Sequence, residues 1–159
     1  MCTRENETRK QSFRFKSEEI ILAVKMIEKL EKTIEVVYYL MNHEEEESFV
    51  LLLMKADNVN LKKIVEDEKR DTDIFFEIDK DKSLYAVLCQ DTKVDGGYHF
   101  AQRIMEQGIS QNSTTFYCAE IEVRSTHYSI KKVIFKLIET FIKAQIENKT
   151  NEIVYKSLN

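Results

Sequence analysis

The chain has 159 residues, 43% of them hydrophobic and 33% charged, with a formal net charge of −4. That is enough apolar material for one domain core, carries no overall basic character for a nucleic-acid polymer, and contains no run near the ~18 apolar residues of a membrane span. Three cysteines (Cys2, Cys89 and Cys118) without a C-x-x-C pair, and a polar N-terminus without a signal-peptide pattern, point to a reducing cytoplasm. His43, His99 and His127 show no ligand spacing, so no metal site and no cofactor is expected.

Residues 1–16 read as a flexible polar N-terminus. Ser17 is the expected N-cap of a helix with Glu18 and Glu19 in its first turn, where negative charge suits the dipole. Ala23, Ile27, Leu30, Ile34, Val37 and Met41 follow at alternating steps of four and three, a heptad seam. The seam suits packing on the chain's own domain or a dimerising coiled coil. Residues 17–30 are assigned to a helical arm and 31–159 to the domain proper.

The acidic run Glu44–Glu47 reads as a solvated loop. Phe49–Met54 is continuously apolar, as in a strand buried on both faces. A short helix is expected around Asn60–Glu68. Residues 73–78 and 84–90 read as two strands of a hairpin around the polar stretch 79–83. A helix from about Gly96 to Gln107 is expected next, with Asp95 as N-cap and Gly108 as its stop. A strand at 114–123, a long helix capped by Ser129, and a short strand at 152–156 complete the chain. The absence of proline and the three glycines favour long, regular elements. The order predicts an α/β (α+β) fold, a mixed central sheet flanked by helices.

The stretch Tyr85–Met105 (YAVLCQDTKVDGGYHFAQRIM) resembles the segment after the signature loop of GGDEF domains, the diguanylate cyclase-like family of bacterial signalling. Tyr85 stands for the signature phenylalanine, Ala86-Val87-Leu88 continue the strand, and Ala101-Gln102-Arg103-Ile104 occupy the following helix. The resemblance spans roughly residues 31–145 and implies a nucleotidyl-cyclase-like fold. It also implies where the catalytic carboxylates should be. A cyclase holds divalent cations against GTP phosphates with an Asp-x-Asp after the first strand and with a carboxylate in the signature hairpin. This chain has Lys55-Ala56-Asp57 at the first place and Asp81-Lys82-Ser83-Leu84-Tyr85 at the second. Lys55 and Ser83 replace the metal carboxylates, and Asp81 and Lys82 replace the two glycines. The resemblance therefore implies a degenerate, catalytically inactive member with no catalytic residues.

Many GGDEF domains also carry an R-x-x-D upstream of the signature that binds cyclic di-GMP. Arg70-Asp71-Thr72-Asp73 has the residue types and internal spacing, with seven residues (74–80) before the hairpin loop where the family has five. A guanidinium offers a planar fork of donors to a guanine edge or phosphate, and a carboxylate accepts from guanine N–H groups. The ligand-binding residues expected from the resemblance are Arg70 and Asp73, with Lys69 and Arg103 as accessory cations. The alternative for Arg70 and Asp73 is a surface pair that caps the strand. Two functions follow: a cytoplasmic regulatory module sensing cyclic di-GMP, or a ligand-free interaction module that meets a protein partner or a second copy through its N-terminal helix.

Overall fold

A strand as uniformly apolar as Phe49–Met54 is stable only with both faces covered, and the architecture follows from that requirement. The computed structural model of the chain describes residues 15–158, so most of the expected flexible N-terminus, residues 1–14, lies outside it. In chain order the elements are α1 (Ser17–Asn42), β1 (Phe49–Ala56), α2 (Leu61–Glu68), β2 (Asp73–Asp79) and β3 (Leu84–Gln90). They continue with α3 (Val94–Ser110), β4 (Phe116–Val123), α4 (Ile130–Ile146) and β5 (Glu152–Leu158). One five-stranded sheet runs β2-β3-β1-β4-β5, with β1 at its centre. β1 pairs antiparallel with β3 and β4, β2 antiparallel with β3, and β5 parallel with β4. This is the mixed α+β sheet flanked by helices that the sequence predicts.

The alternation of β1 divides the core in two. Phe49, Leu51 and Leu53 face α1 and α4, whereas Val50, Leu52 and Met54 face α2 and α3, and all six are fully buried. Each such side chain contributes roughly 2 kcal/mol of transfer free energy. The second face is where the polar chemistry lies, because Cys89, Cys118, Asp73, Glu120 and Glu122 point that way along with the apolar residues.

The heptad seam is used inside the molecule. Ala23, Leu30, Ile34 and Val37, together with Met26, are buried in the α1/α4 core, and Ile27 and Met41 pack against it. The helix begins one residue earlier than a Ser17 cap implies. Lys16 is the N-cap, and its backbone N–H donates to Glu19 Oε1 at 2.6 Å, so the carboxylate three residues on reaches back to satisfy the cap residue.

Other boundaries move for identifiable reasons. Asp95 is not the cap of α3. The helix starts at Val94 after Lys93, because the Val94 N–H already has an acceptor, Glu122 Oε2 at 2.8 Å. Gly108 does not stop α3, which runs on to Ser110; no glycine has positive φ. β4 begins at Phe116 rather than residue 114, because the Asp57 carboxylate draws the N–H groups of Thr114 and Thr115 out of the sheet, at 2.9 and 2.8 Å. The acidic run is not wholly solvated either. Glu46 is buried and accepts the Asp91 N–H at 2.7 Å, pinning the loop before β1 to the end of β3. Ser129 caps α4 as expected, accepting from the Lys132 N–H, and Asn60 caps α2 in the same way, accepting from the Lys63 N–H.

Candidate functional site

The segment between α2 and β2 is a closed turn built from Arg70 and Asp73. The Asp73 N–H donates to the Arg70 carbonyl at 3.0 Å. In return the Asp73 carboxylate accepts the Arg70 backbone N–H at 2.8 Å, Nε at 3.1 Å and Nη2 at 2.8 Å. The carboxylate side chain is 1% exposed, but the guanidinium is 52% exposed. Arg70 Nη2 also donates to the Gln90 carbonyl at 3.0 Å and to Thr92 Oγ1 at 2.8 Å. Hydrogen bonding to Asp73 is the main reason the Arg70 pKa rises. One side chain thus ties the α2–β2 turn to the end of β3 and to the segment leading into α3.

Arg103, on α3, reaches the same place. A cleft of about 130 Å³ is lined by Arg70, Asp73, Cys89, Thr92, Gly96, Phe100 and Arg103. Arg103 is half exposed, donates through Nε to Glu68 Oε1 at 3.3 Å, and its guanidinium lies 5.6 Å from the Phe100 ring centroid. The structure therefore brings Arg70, Asp73 and Arg103 together. Lys69 does not line the cleft. Its ammonium bridges the Arg70 and Asp73 carbonyls at 3.4 and 3.2 Å and braces the turn. The two guanidiniums are each oriented by a carboxylate, so the cleft presents directed N–H donors more than net positive charge. Such donors suit phosphate oxygens or the acceptor edge of a planar base.

Two cleft residues carry no signature in the sequence. Thr92 is positioned by the Ser48 carbonyl, which accepts its N–H at 3.3 Å, and by its own hydroxyl bond to the Gln90 carbonyl at 2.7 Å. Gly96 stands against the Thr92 methyl, where an added Cβ would lie 3.1 Å away.

The far end of the sheet holds the residues that the sequence resemblance sets at the catalytic positions. Lys55, Asp57, Asp81, Lys82 and Ser83 line one open cleft of about 550 Å³ between the end of β1 and the β2–β3 hairpin. Ser83 closes the hairpin in the left-handed region, φ 53°, and its N–H donates to the Lys80 carbonyl at 3.1 Å. Asp57 is engaged as a clamp. Besides the Thr114 and Thr115 N–H groups it accepts the hydroxyls of Thr114 and Ser113, and these bonds, led by the Thr114 hydroxyl, hold its carboxyl well below the usual range. A divalent cation does not suit this donor set, because an ammonium stands at one ligand position, a hydroxyl at the other, and the remaining carboxylate is already satisfied. Among the described residues no cluster of three His, Cys, Asp or Glu side chains is arranged to hold a metal.

Cys89 and Cys118 are buried, and burial pushes both thiols up, which disfavours the thiolate. One feature that pattern reading missed lies beside them. Glu120, on β4, is wholly buried under α3, and neither of its carboxyl oxygens has a hydrogen-bond partner. Burial pushes its pKa up to about 8, with Glu122 and Asp95 adding to the rise.

No family model matches the chain, and no curated protein matches it. Solved structures do. The diguanylate cyclase SiaD of Pseudomonas aeruginosa, in complex with its activator SiaC, superposes with a TM-score of 0.63 at 14% identity. That match covers 80% of this chain, which spans 56% of the length of the SiaD chain. The GGDEF domain of DgcB from Caulobacter crescentus, in complex with cyclic di-GMP, gives 0.64 at 6% identity over 79% of this chain and 87% of that one. The active GGEEF domain of a Vibrio cholerae diguanylate cyclase gives 0.60 at 13% identity over 78% and 92%. At these identities what is shared is the fold, and the chain has a GGDEF-like fold.

Proposed function

We propose that this GGDEF-like chain is a non-catalytic regulatory module that binds cyclic di-GMP at the Arg70–Arg103 cleft. The observation that carries the reading is the convergence of two guanidiniums, 33 positions apart in the sequence, on one cleft walled by the start of α3. A fold neighbour from Caulobacter crescentus was solved in complex with this ligand. The cleft holds a phosphate or a base edge, and the remainder of the dinucleotide lies over the exposed faces of Arg70 and Arg103. Asp73 serves as the brace of Arg70, because its carboxylate is buried and already spent on that residue. Backbone amide mapping by NMR tests the placement. Cyclic di-GMP should shift Arg70, Thr92, Gly96 and Arg103 together; shifts confined to the hairpin around Ser83 would move the ligand to the other end of the sheet and refute the assignment.

The lack of catalysis follows from the hairpin-end chemistry. Charge developing on phosphoryl oxygens needs a cation or preorganised donors, and Lys55 and Ser83 remove the carboxylates that would hold the metal. The expected result is no cyclic di-GMP formed from GTP with either Mg²⁺ or Mn²⁺. Restoring both carboxylates (Lys55→Asp with Ser83→Asp) should not restore activity while Asp57 stays clamped by Thr114. Turnover by the wild-type chain would overturn this part.

A second reading, docking through the N-terminal helix, is favoured by one observation. The buried seam of α1 leaves Ile20, Ile21 and Val24 exposed by about half on the outer face. Truncation is a poor test, because Ala23, Met26 and Leu30 belong to the core. Light scattering on the full chain and on Ile20→Lys/Val24→Lys discriminates: docking of a second copy gives a dimer mass that the double variant halves, and a monomer mass for both rules out self-association.

A further inference from the structure

Two adjacent glycines in the first turn of α3 face two different places. Gly96 lies on the Arg70 cleft. Gly97 lies on Glu120: an added Cβ there would sit 2.2 Å from Glu120 Oε2 and 2.7 Å from Val50 Cγ1. The missing side chain at 97 is what lets α3 close over the carboxyl. At its start the turn is tied to β4 by the hydrogen bond from the Val94 N–H to Glu122 Oε2 at 2.8 Å, while the other Glu122 oxygen takes the Ser157 hydroxyl.

We propose that the first turn of α3 is a proton-controlled gate on the Arg70 cleft, seated on the neutral carboxyl of Glu120 and released when that carboxyl ionises. The geometry leaves an ionised Glu120 no partner. Both its oxygens are buried and unbonded, and the charged groups that act on it, Glu122 on the same strand and Asp95 on α3, are both acidic. Of the other elements on this face, β3 contributes the Cys89 thiol and β4 the Cys118 thiol, whose ionisation burial opposes. β1 contributes only apolar Val50 and Leu52, and β5 contributes Tyr155 opposite Glu120 in register. Tyr155 meets Tyr98 of α3 edge-on at 6.0 Å, so the ring contact that closes the outer side also breaks if the turn lifts. A buried anion without a partner is relieved only by water, and water reaches Glu120 by displacing the turn that Gly97 carries. Because Gly96 is part of the same turn, lifting it removes one wall of the cleft.

The gate itself is independent of the ligand; its effect on cyclic di-GMP rests on the function proposed above. Amide hydrogen exchange on the full chain between pH 6.5 and 9, corrected for the intrinsic base-catalysed rate, reads the gate directly. In the wild type the protection of Gly97 and Tyr98 should fall about tenfold per pH unit until Glu120 ionises in place, because each opening releases one proton. In Glu120→Gln and in Glu120→Leu that extra fall should vanish. An unchanged pH dependence in whichever of the two variants folds would overturn the gate. Absence of cyclic di-GMP binding at every pH, with the exchange behaviour intact, would remove the ligand and leave the gate. Binding whose affinity follows the same pH curve in wild type and Glu120→Gln would show that the gate does not reach the cleft, and overturn the coupling.

Discussion

Replacing Asp73 by alanine should lower stability by about 3 kcal/mol, seen as a fall in Tm on the order of 10 °C. The carboxylate takes three donors from Arg70, one of them a backbone N–H, and is itself almost wholly buried. Its removal leaves the N–H of Arg70 without its acceptor and frees the guanidinium from the position that reaches Gln90 and Thr92. The half-exposed guanidinium can rehydrate, which keeps the loss below that of a fully buried broken pair. Asp73→Asn, which retains an acceptor oxygen, should cost less than half as much. Urea denaturation of both variants checks the ordering; equal losses would mean that packing volume, not hydrogen bonding, is what Asp73 provides.

The second large effect has the opposite sign. Glu120→Leu should stabilise the protein by roughly 3 kcal/mol at pH 7. The wild-type carboxyl has its pKa raised from 4.5 to about 8 in the folded chain. Between those values the folded state keeps a proton that the unfolded state has released, so wild-type stability falls as pH rises, at about 1.4 kcal/mol per pH unit, and levels off above the folded pKa. Below the unfolded pKa both states are neutral and Glu120 imposes no pH dependence. Leucine at 120 removes that slope, and Glu120→Gln should also flatten it while gaining less, because the amide has no partner either. Glu46, raised mainly by burial, slopes the same way and remains in both variants. The Asp57 carboxyl is lowered, so the stability it adds is lost only in strong acid, outside this window. Denaturation at pH 5.5, 6.5 and 7.5 decides: parallel wild-type and Glu120→Leu curves would contradict the account.

The fold was legible wherever one local signal dominated. The unbroken apolar run Phe49–Met54 fits a strand buried on both faces, and it is one, and the polar gap between two apolar runs placed the hairpin, whose second strand is Leu84–Gln90 in the structure. The site was half legible. Arg70 and Asp73 stand out by type and spacing, but their bonding to one another depends on the turn geometry between α2 and β2. The meeting of Arg103 with Arg70 depends on how α3 crosses the sheet, which no local pattern encodes. Lys69, next in sequence to Arg70, turns away to the backbone for the same reason. Glu120 was hidden by its own alternation. Glu120 and Glu122 share one strand face, which reads as a solvated polar side until α3 is laid over it. The only sequence trace of that cover is the small residue at Gly97.

The role of the cleft is tested most directly by calorimetry of cyclic di-GMP against the wild type and Arg103→Ala at neutral pH. Arg103 is half exposed and outside the core, so its loss should leave the fold intact. The wild type should bind, and the variant should bind at least tenfold more weakly, the loss of one charge-assisted contact. No heat from the wild type at high micromolar ligand, or equal affinity in both proteins, would contradict it.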